Sequence, residues 1–156
     1  MRAYADTSFI LRLVTTEPGS QDTIAEYRRA GKPPLFFLPL HSLEVRNGIL
    51  QRAFHQRRSS SAMERQHTRR ERDAAVARVE RFIARRTLLD VTVDLEVVIA
   101  RALDISKTHT ERLGARAIDL LHVAAALTLE SELFLTTDER QVQLARAEGL
   151  KVASVK

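Results

Sequence analysis

The chain has 156 residues, 44% hydrophobic and 29% charged, which suits one domain around one core and is too apolar for a disordered chain. It has no cysteine, so disulfides and thiolate metal sites are excluded. The net charge of +5 is uneven: residues 46 to 86 hold 12 Arg, no Lys and 4 acids, for +8, and the remainder is −3.

In chain order, "RAYA" reads as a short strand and "TSFILRLVT" as a helix broken by "EPGS". "SQDTIAEYRRAG" is a second helix, with Ser20 as its N-cap and Gly31 as its stop. "PPLFFLP" is a buried strand between prolines, so Phe36 and Phe37 are assigned to the core rather than to a base-stacking platform. The next helix, "LHSLEVRNGILQRAFHQ", repeats Leu40, Leu43, Leu50 and Phe54 at helical spacing, with Asn47 inside that stripe. A long Arg-rich helix follows the serines, and the two form a basic hairpin over about 41–86 that turns around Arg57 to Ser61.

"TLLDVTV" is the third strand. "DLEVVIARALDISKTHT" is a helix capped by Asp94, and "AIDLLHVAAALTLE" is a buried helix, apolar almost all round. "LFLTT", "DERQVQLARAEG" and "KVASV" complete the chain as strand, helix and strand. Strands alternating with helices predict an α/β fold with a mostly parallel five-stranded sheet and helices on both faces, with neither repeat nor linker across 1–156. No apolar run approaches membrane-spanning length, and the N-terminus lacks a signal pattern, so a cytoplasmic protein is expected.

Ligands of open parallel sheets bind beyond the carboxyl ends of the strands. Asp6 and Asp138 each follow a strand, Glu44 follows the second strand by about a turn and a half, and Asp119 begins the buried helix. Singly, the three aspartates are good helix N-caps or first-turn charges. Glu44 gains nothing obvious from its position beside an apolar stripe. Together, clustered carboxylates repel one another unless a cation sits among them, and a hard divalent ion such as Mg²⁺ is the natural choice. Such an ion activates water and offsets charge on a phosphate, which points to phosphodiester hydrolysis, with the basic hairpin holding the phosphates. Arg46 and Arg52, nearest Glu44, are the candidate phosphate contacts.

The segments "ADTSFIL" (Asp6), "SLEVRNGI" (Glu44), "AIDLLHVAAAL" (Asp119) and "LTTDERQ" (Asp138) resemble the PIN-domain ribonucleases, and among them the VapC-like toxins of toxin–antitoxin pairs. That resemblance implies a three-layer α/β/α fold, Mg²⁺- or Mn²⁺-dependent endoribonuclease activity on RNA, a homodimer, and inhibition by a cognate antitoxin. It places the acidic set on Asp6, Glu44, Asp119 and Asp138, and the supporting hydroxyls on Thr7 or Ser8 and on Thr136. Thr137 departs from the aromatic or aliphatic residue often found there, and Glu139 is either an outer ligand or a helix charge.

His122, three residues after Asp119 on the same helix face, is placed to hydrogen-bond the site or its substrate, but the favoured reading is a packing residue using one ring nitrogen. His41, His55, His67 and His109 lack ligand spacing. Two other readings remain: a binding domain whose acids only cap helices, and a phosphatase with Asp6 as nucleophile. The latter is weakened because Ser8 stands where a second aspartate is typical.

Overall fold

The structure is a computed structural model and describes residues 1–57 and 61–155. Its elements, in order, are β1 (Ala3–Ala5), α1 (Thr7–Val14), α2 (Ser20–Arg29), β2 (Leu35–Phe37), α3 (Pro39–Arg57), α4 (Ala62–Ala84) and β3 (Leu88–Asp90). They continue with α5 (Leu95–Leu113), α6 (Ala117–Thr128), β4 (Leu133–Thr136), α7 (Glu139–Ala147) and β5 (Val152–Ser154). The expected order of strands and helices is thus observed. The turn of the basic hairpin at 58–60 lies outside the described residues, while Ser61 closes a capping box with Glu64 at the start of α4.

The five strands form one sheet in the order β3-β2-β1-β4-β5, and every pairing is parallel. Strand alternation separates two cores. Ala3 and Ala5 of β1, with Leu133 and Leu135 of β4, face a layer containing Phe9, Ile10, Val45, Ile49 and Val79 from α1, α3 and α4. Tyr4 and Phe134 face the opposite layer, with Val98, Ile105, Val123 and Leu144 from α5, α6 and α7. The result is a three-layer α/β/α fold. The run of Ala124, Ala125 and Ala126 lets α6 sit deep in the second layer, as its composition predicts.

Helix α3 departs from expectation. Leu43, Leu50 and Phe54 are 69%, 54% and 57% exposed, and Asn47 lies on the same outer face. The buried stripe is His41, Val45, Ile49 and Ala53. Both stripes have helical spacing, so periodicity alone does not choose between them. Close packing does: a side-chain carbon at Gly48 would come within 2.9 Å of Leu11 on α1, so the inward face must carry small or slim residues. The bulky leucines turn outward.

At the start of α2, Gly19 (φ 87°) takes the cap position, and Ser20 is the first helical residue. The Ser20 hydroxyl instead braces the preceding turn, donating to Thr15 O and accepting from the Glu17 N–H.

Candidate active site

The carboxyl edge of the sheet gathers the acidic residues through hydroxyl groups and cations. Asp6 ends β1 and caps α1: Oδ1 accepts from the Phe9 N–H (2.9 Å) and Ser8 Oγ (2.8 Å). Its Oδ2 accepts from Thr136 Oγ1 at 2.6 Å. The Asp138 N–H then donates to the same threonine oxygen (3.0 Å), so Thr136 joins the two strand-end acids. Ser8 Oγ also receives Thr137 Oγ1 at 2.8 Å. Asp6 is only 2% exposed. Burial pushes its carboxyl above the ordinary carboxylate range, and the charge of His122 with the bonds from Thr136, Phe9 and Ser8 offsets only part of that push.

Glu44 projects from α3 toward the same edge. Its Oε2 accepts from Thr7 Oγ1 and from His122 Nε2, each at 2.8 Å. Burial alone would raise the Glu44 carboxyl, but the hydrogen bond and charge of His122, together with Thr7, hold it below its ordinary value. The other imidazole nitrogen, Nδ1, bonds the Tyr4 hydroxyl at 2.8 Å. Burial, then the negative charge of Asp6 and Glu44, drives that phenol well above its usual range, so it keeps its proton. A continuous chain therefore runs Tyr4–His122–Glu44–Thr7. His122 uses both ring nitrogens rather than one, so it belongs with the site rather than with packing alone, and Tyr4 is a partner that sequence spacing left out. The signal was present: His122 lies one helical turn from Asp119 on a helix buried nearly all round, where a polar ring needs partners on both sides.

His41 supports this chain from below. Leu38 N–H donates to its Nδ1 (3.0 Å), which leaves Nε2–H to donate to Ala5 O (2.9 Å). That neutral form agrees with a pKa lowered to about 3, mainly by burial and then by the neighbouring His122 charge. Its ring lies 5.1 Å from that of His122 and is stacked 5.7 Å from Phe37.

Asp119 and Asp138 share one guanidinium. Arg116 Nε lies 3.6 Å from Asp119 Oδ2, and its Nη2 lies 3.5 Å from Asp138 Oδ2. Asp119 Oδ2 also accepts the Arg116 N–H, and Asp138 Oδ1 accepts the Arg140 N–H, so both acids stabilise helix starts as well. Gln141 is buried one turn along α7, with Nε2 3.5 Å from Asp119 Oδ1 and Oε1 unpaired. Arg116 and Gln141 are the other members of this edge that sequence reading passed over.

The donor set suits a hard cation, being carboxylate oxygen throughout, but the carboxylates are engaged by hydroxyls, imidazole and guanidinium. Among the described residues, no group of three or more His, Cys, Asp or Glu is arranged to hold a metal ion. Arg46 and Arg52 also have protein partners. Arg46 Nη2 pairs with Glu80 at 2.5 Å, and Arg52 binds Glu17 and the Thr16 carbonyl.

The PIN-domain family model matches residues 3–147, nearly the whole chain and all four acids. The chain belongs to the PIN-domain family. No curated protein sequence matches it. The matched span starts at β1 and ends with α7, so it takes in four of the five strands and the four acids, and leaves β5 outside. No helix among the described residues is long and apolar enough to cross a membrane.

Proposed function

We propose that this PIN domain is a Mg²⁺- or Mn²⁺-dependent endoribonuclease that hydrolyses RNA phosphodiesters with water. The observation carrying this reading is that acids from four separate elements, Asp6, Glu44, Asp119 and Asp138, are tied into one edge by Thr7, Thr136 and Arg116. Asp6, Asp119 and Asp138, with Glu44, are the groups that would hold the ion. When bound, a divalent ion supplies acidity to water and offsets charge on the phosphate. The chain's own contribution is positional. Ser8, Phe9 N–H and Thr136 fix both oxygens of Asp6, while Thr7 and His122 fix Glu44. Arg116 bridges Asp119 and Asp138 and offsets the repulsion between them.

In this reading the protein is the cytoplasmic toxin of a toxin–antitoxin pair, restrained by a cognate antitoxin, and works as a homodimer. The outward stripes of Leu43, Leu50 and Phe54 on α3 and Leu95, Ile99 and Leu103 on α5 offer apolar surface for self-association. Light scattering on the purified chain and on Leu50→Glu tests it; a wild type that is monomeric at every concentration removes the dimer.

Purified protein incubated with a mixed RNA pool in Mg²⁺, Mn²⁺ or chelator, beside Asp6→Asn, tests the activity. Metal-dependent cutting absent from the variant is expected. Equal cutting by a folded Asp6→Asn overturns it. One observation favours a second reading, a binding domain: Asp6, Asp119 and Asp138 each accept a backbone N–H at a helix start. That reading predicts no shift of melting temperature with Mn²⁺. An Asp-nucleophile phosphatase fits least, because both oxygens of the buried Asp6 are already held.

A further inference from the structure

The opposite edge of the sheet carries a different electrostatic arrangement. Because all strands are parallel, their amino ends share one edge. Lys32 lies just before β2, and Arg85 just before β3. Helix α1 starts at Asp6, so its last turn points toward this amino edge. Here α1, α2 and the end of α4 enclose a groove of about 450 Å³. Arg28, Lys32, Arg78, Arg81 and Arg85 all line it, and no acidic residue does.

These cations differ from the arginines that the protein's own carboxylates engage. Arg2, Arg12, Arg29, Arg46, Arg52, Arg72, Arg116 and Arg140 each pair with a carboxylate. Arg28, Lys32, Arg81 and Arg85 are exposed and have no ion pair among the described residues. Arg78 donates from Nη1 to Val14 O at 2.7 Å, which anchors it across the groove. Some of the charge faces helix C-termini: Arg28 and Arg81 stand in last turns, where a cation contributes about 0.3–1 kcal/mol. That accounts for one cation per helix end. Arg78 likewise meets the end of α1 through Val14 O, but no carboxylate on the cleft offsets the mutual repulsion of its five cations.

We propose that this groove docks the phosphate backbone of single-stranded RNA, at the sheet edge opposite the acidic site. An extended polyanion fits better than one small anion. Arg78, Arg81 and the C-cap residue Arg85 are spread along the end of α4 over about 10 Å, more than one phosphate group spans. Four of the five cations are arginines, whose planar fork matches phosphate oxygens. The partly buried Phe82 supplies an apolar wall between them. The proposal rests on RNA as the substrate, and it gives the enzyme a second hold on a long strand.

The test is fluorescence anisotropy of a labelled single-stranded RNA with the full chain in chelator, so that cutting does not enter. Replacing Arg28, Arg81 and Arg85 together by Gln weakens binding at least about tenfold and makes the salt slope shallower by about 2. The same positions as Lys recover most of the affinity, which separates lost charge from a lost fold. Unchanged RNA affinity in the Gln variant overturns the groove, as does a wild type that binds no RNA. Binding of poly-glutamate as tight as RNA, lost in the same variant, overturns it in favour of an acidic protein partner. Groove-dependent binding without metal-dependent cutting would remove the nuclease and leave the groove. Cutting with groove-independent binding would do the reverse.

Discussion

The two edges of one parallel sheet treat charge in opposite ways. At the carboxyl edge each acid has a partner: hydroxyls for Asp6, imidazole for Glu44, one guanidinium for Asp119 and Asp138. At the amino edge, Arg28, Lys32, Arg81 and Arg85 line a cleft with no ion pair among the described residues. In the first arrangement Asp6 and Asp119 are buried and Glu44 and Asp138 half-buried, so unpaired charge is costly there, most of all on the two buried acids. The second is solvated, so water and counterions tolerate it until a polyanion displaces them. A buried charged site thus advertises geometry, whereas an exposed one advertises field.

The strongest way to break this contrast is Asp6→Asn. It removes the charge and keeps the shape, and cutting should fall roughly a thousandfold, about 4 kcal/mol of barrier. Folding stability in chelator should stay equal or rise, because burial holds the ionised carboxyl at a disadvantage. A variant that unfolds would show instead that the fold needs both accepting oxygens of Asp6, since Asn caps a helix as well as Asp does.

Next in size is His122→Ala. It leaves Glu44 and the Tyr4 hydroxyl without their shared partner, and urea unfolding should show a loss of about 2–4 kcal/mol. Glu44→Gln, which can still accept from Thr7, should lose less. Equal losses would mean that the Tyr4–His122 half of the chain contributes little.

The buried His41 gives a pH signature belonging to this edge alone. Its folded pKa, lowered to about 3, lies below the ordinary 6.5, so the unfolded chain takes up the proton first. Its stabilising contribution is complete above pH 6.5 and is lost progressively as pH falls toward 3. At pH 5 the loss is about 2 kcal/mol. His41→Asn, which can still accept the Leu38 N–H, should be less stable at pH 7 but flatter between pH 6.5 and 5. Parallel slopes would assign the acid sensitivity to the carboxylates.

Much of the fold was legible from local pattern. "RAYA" and "LFLTT" are short apolar runs, as central parallel strands are, and the alanine-rich run of α6 required burial. The hidden parts depend on partners distant in sequence. Nothing near Arg116 says that its guanidinium reaches Asp138, and nothing near Arg52 names Glu17. The two stripes of α3 were indistinguishable by spacing, and Gly48 against Leu11 decided between them. Asp6, Asp119 and Asp138 stand out in the sequence because each sits at a strand end or helix start, and Glu44 because it borders an apolar stripe. Their mutual arrangement does not, because Thr136 and Thr7 meet Asp6 and Glu44 only after the strands pair. The excess of arginine between 46 and 86 was visible as a sum, but only ion pairing sorts it into engaged and open members.

That sorting sets the smallest effect, a comparison of Arg46→Gln with Arg52→Gln. Arg46 reaches Glu80 across solvent, and both side chains are exposed, so the pair is worth under about 1 kcal/mol. It can exchange Glu80 for a phosphate at little cost, and it lies two residues from Glu44. Arg52 is half-buried, bound to Glu17 and donating to the Thr16 carbonyl at 2.9 Å, so a phosphate would have to break two contacts to recruit it. RNA affinity should therefore drop about two- to fivefold for Arg46→Gln, with melting nearly unchanged. Arg52→Gln should keep RNA affinity within about twofold and lower stability by about 1 kcal/mol. The reverse pattern would mean that phosphate binding is strong enough to dismantle the Arg52 contacts. The division between charges held inside the protein and charges left for a ligand would then fail at the boundary where it is easiest to test.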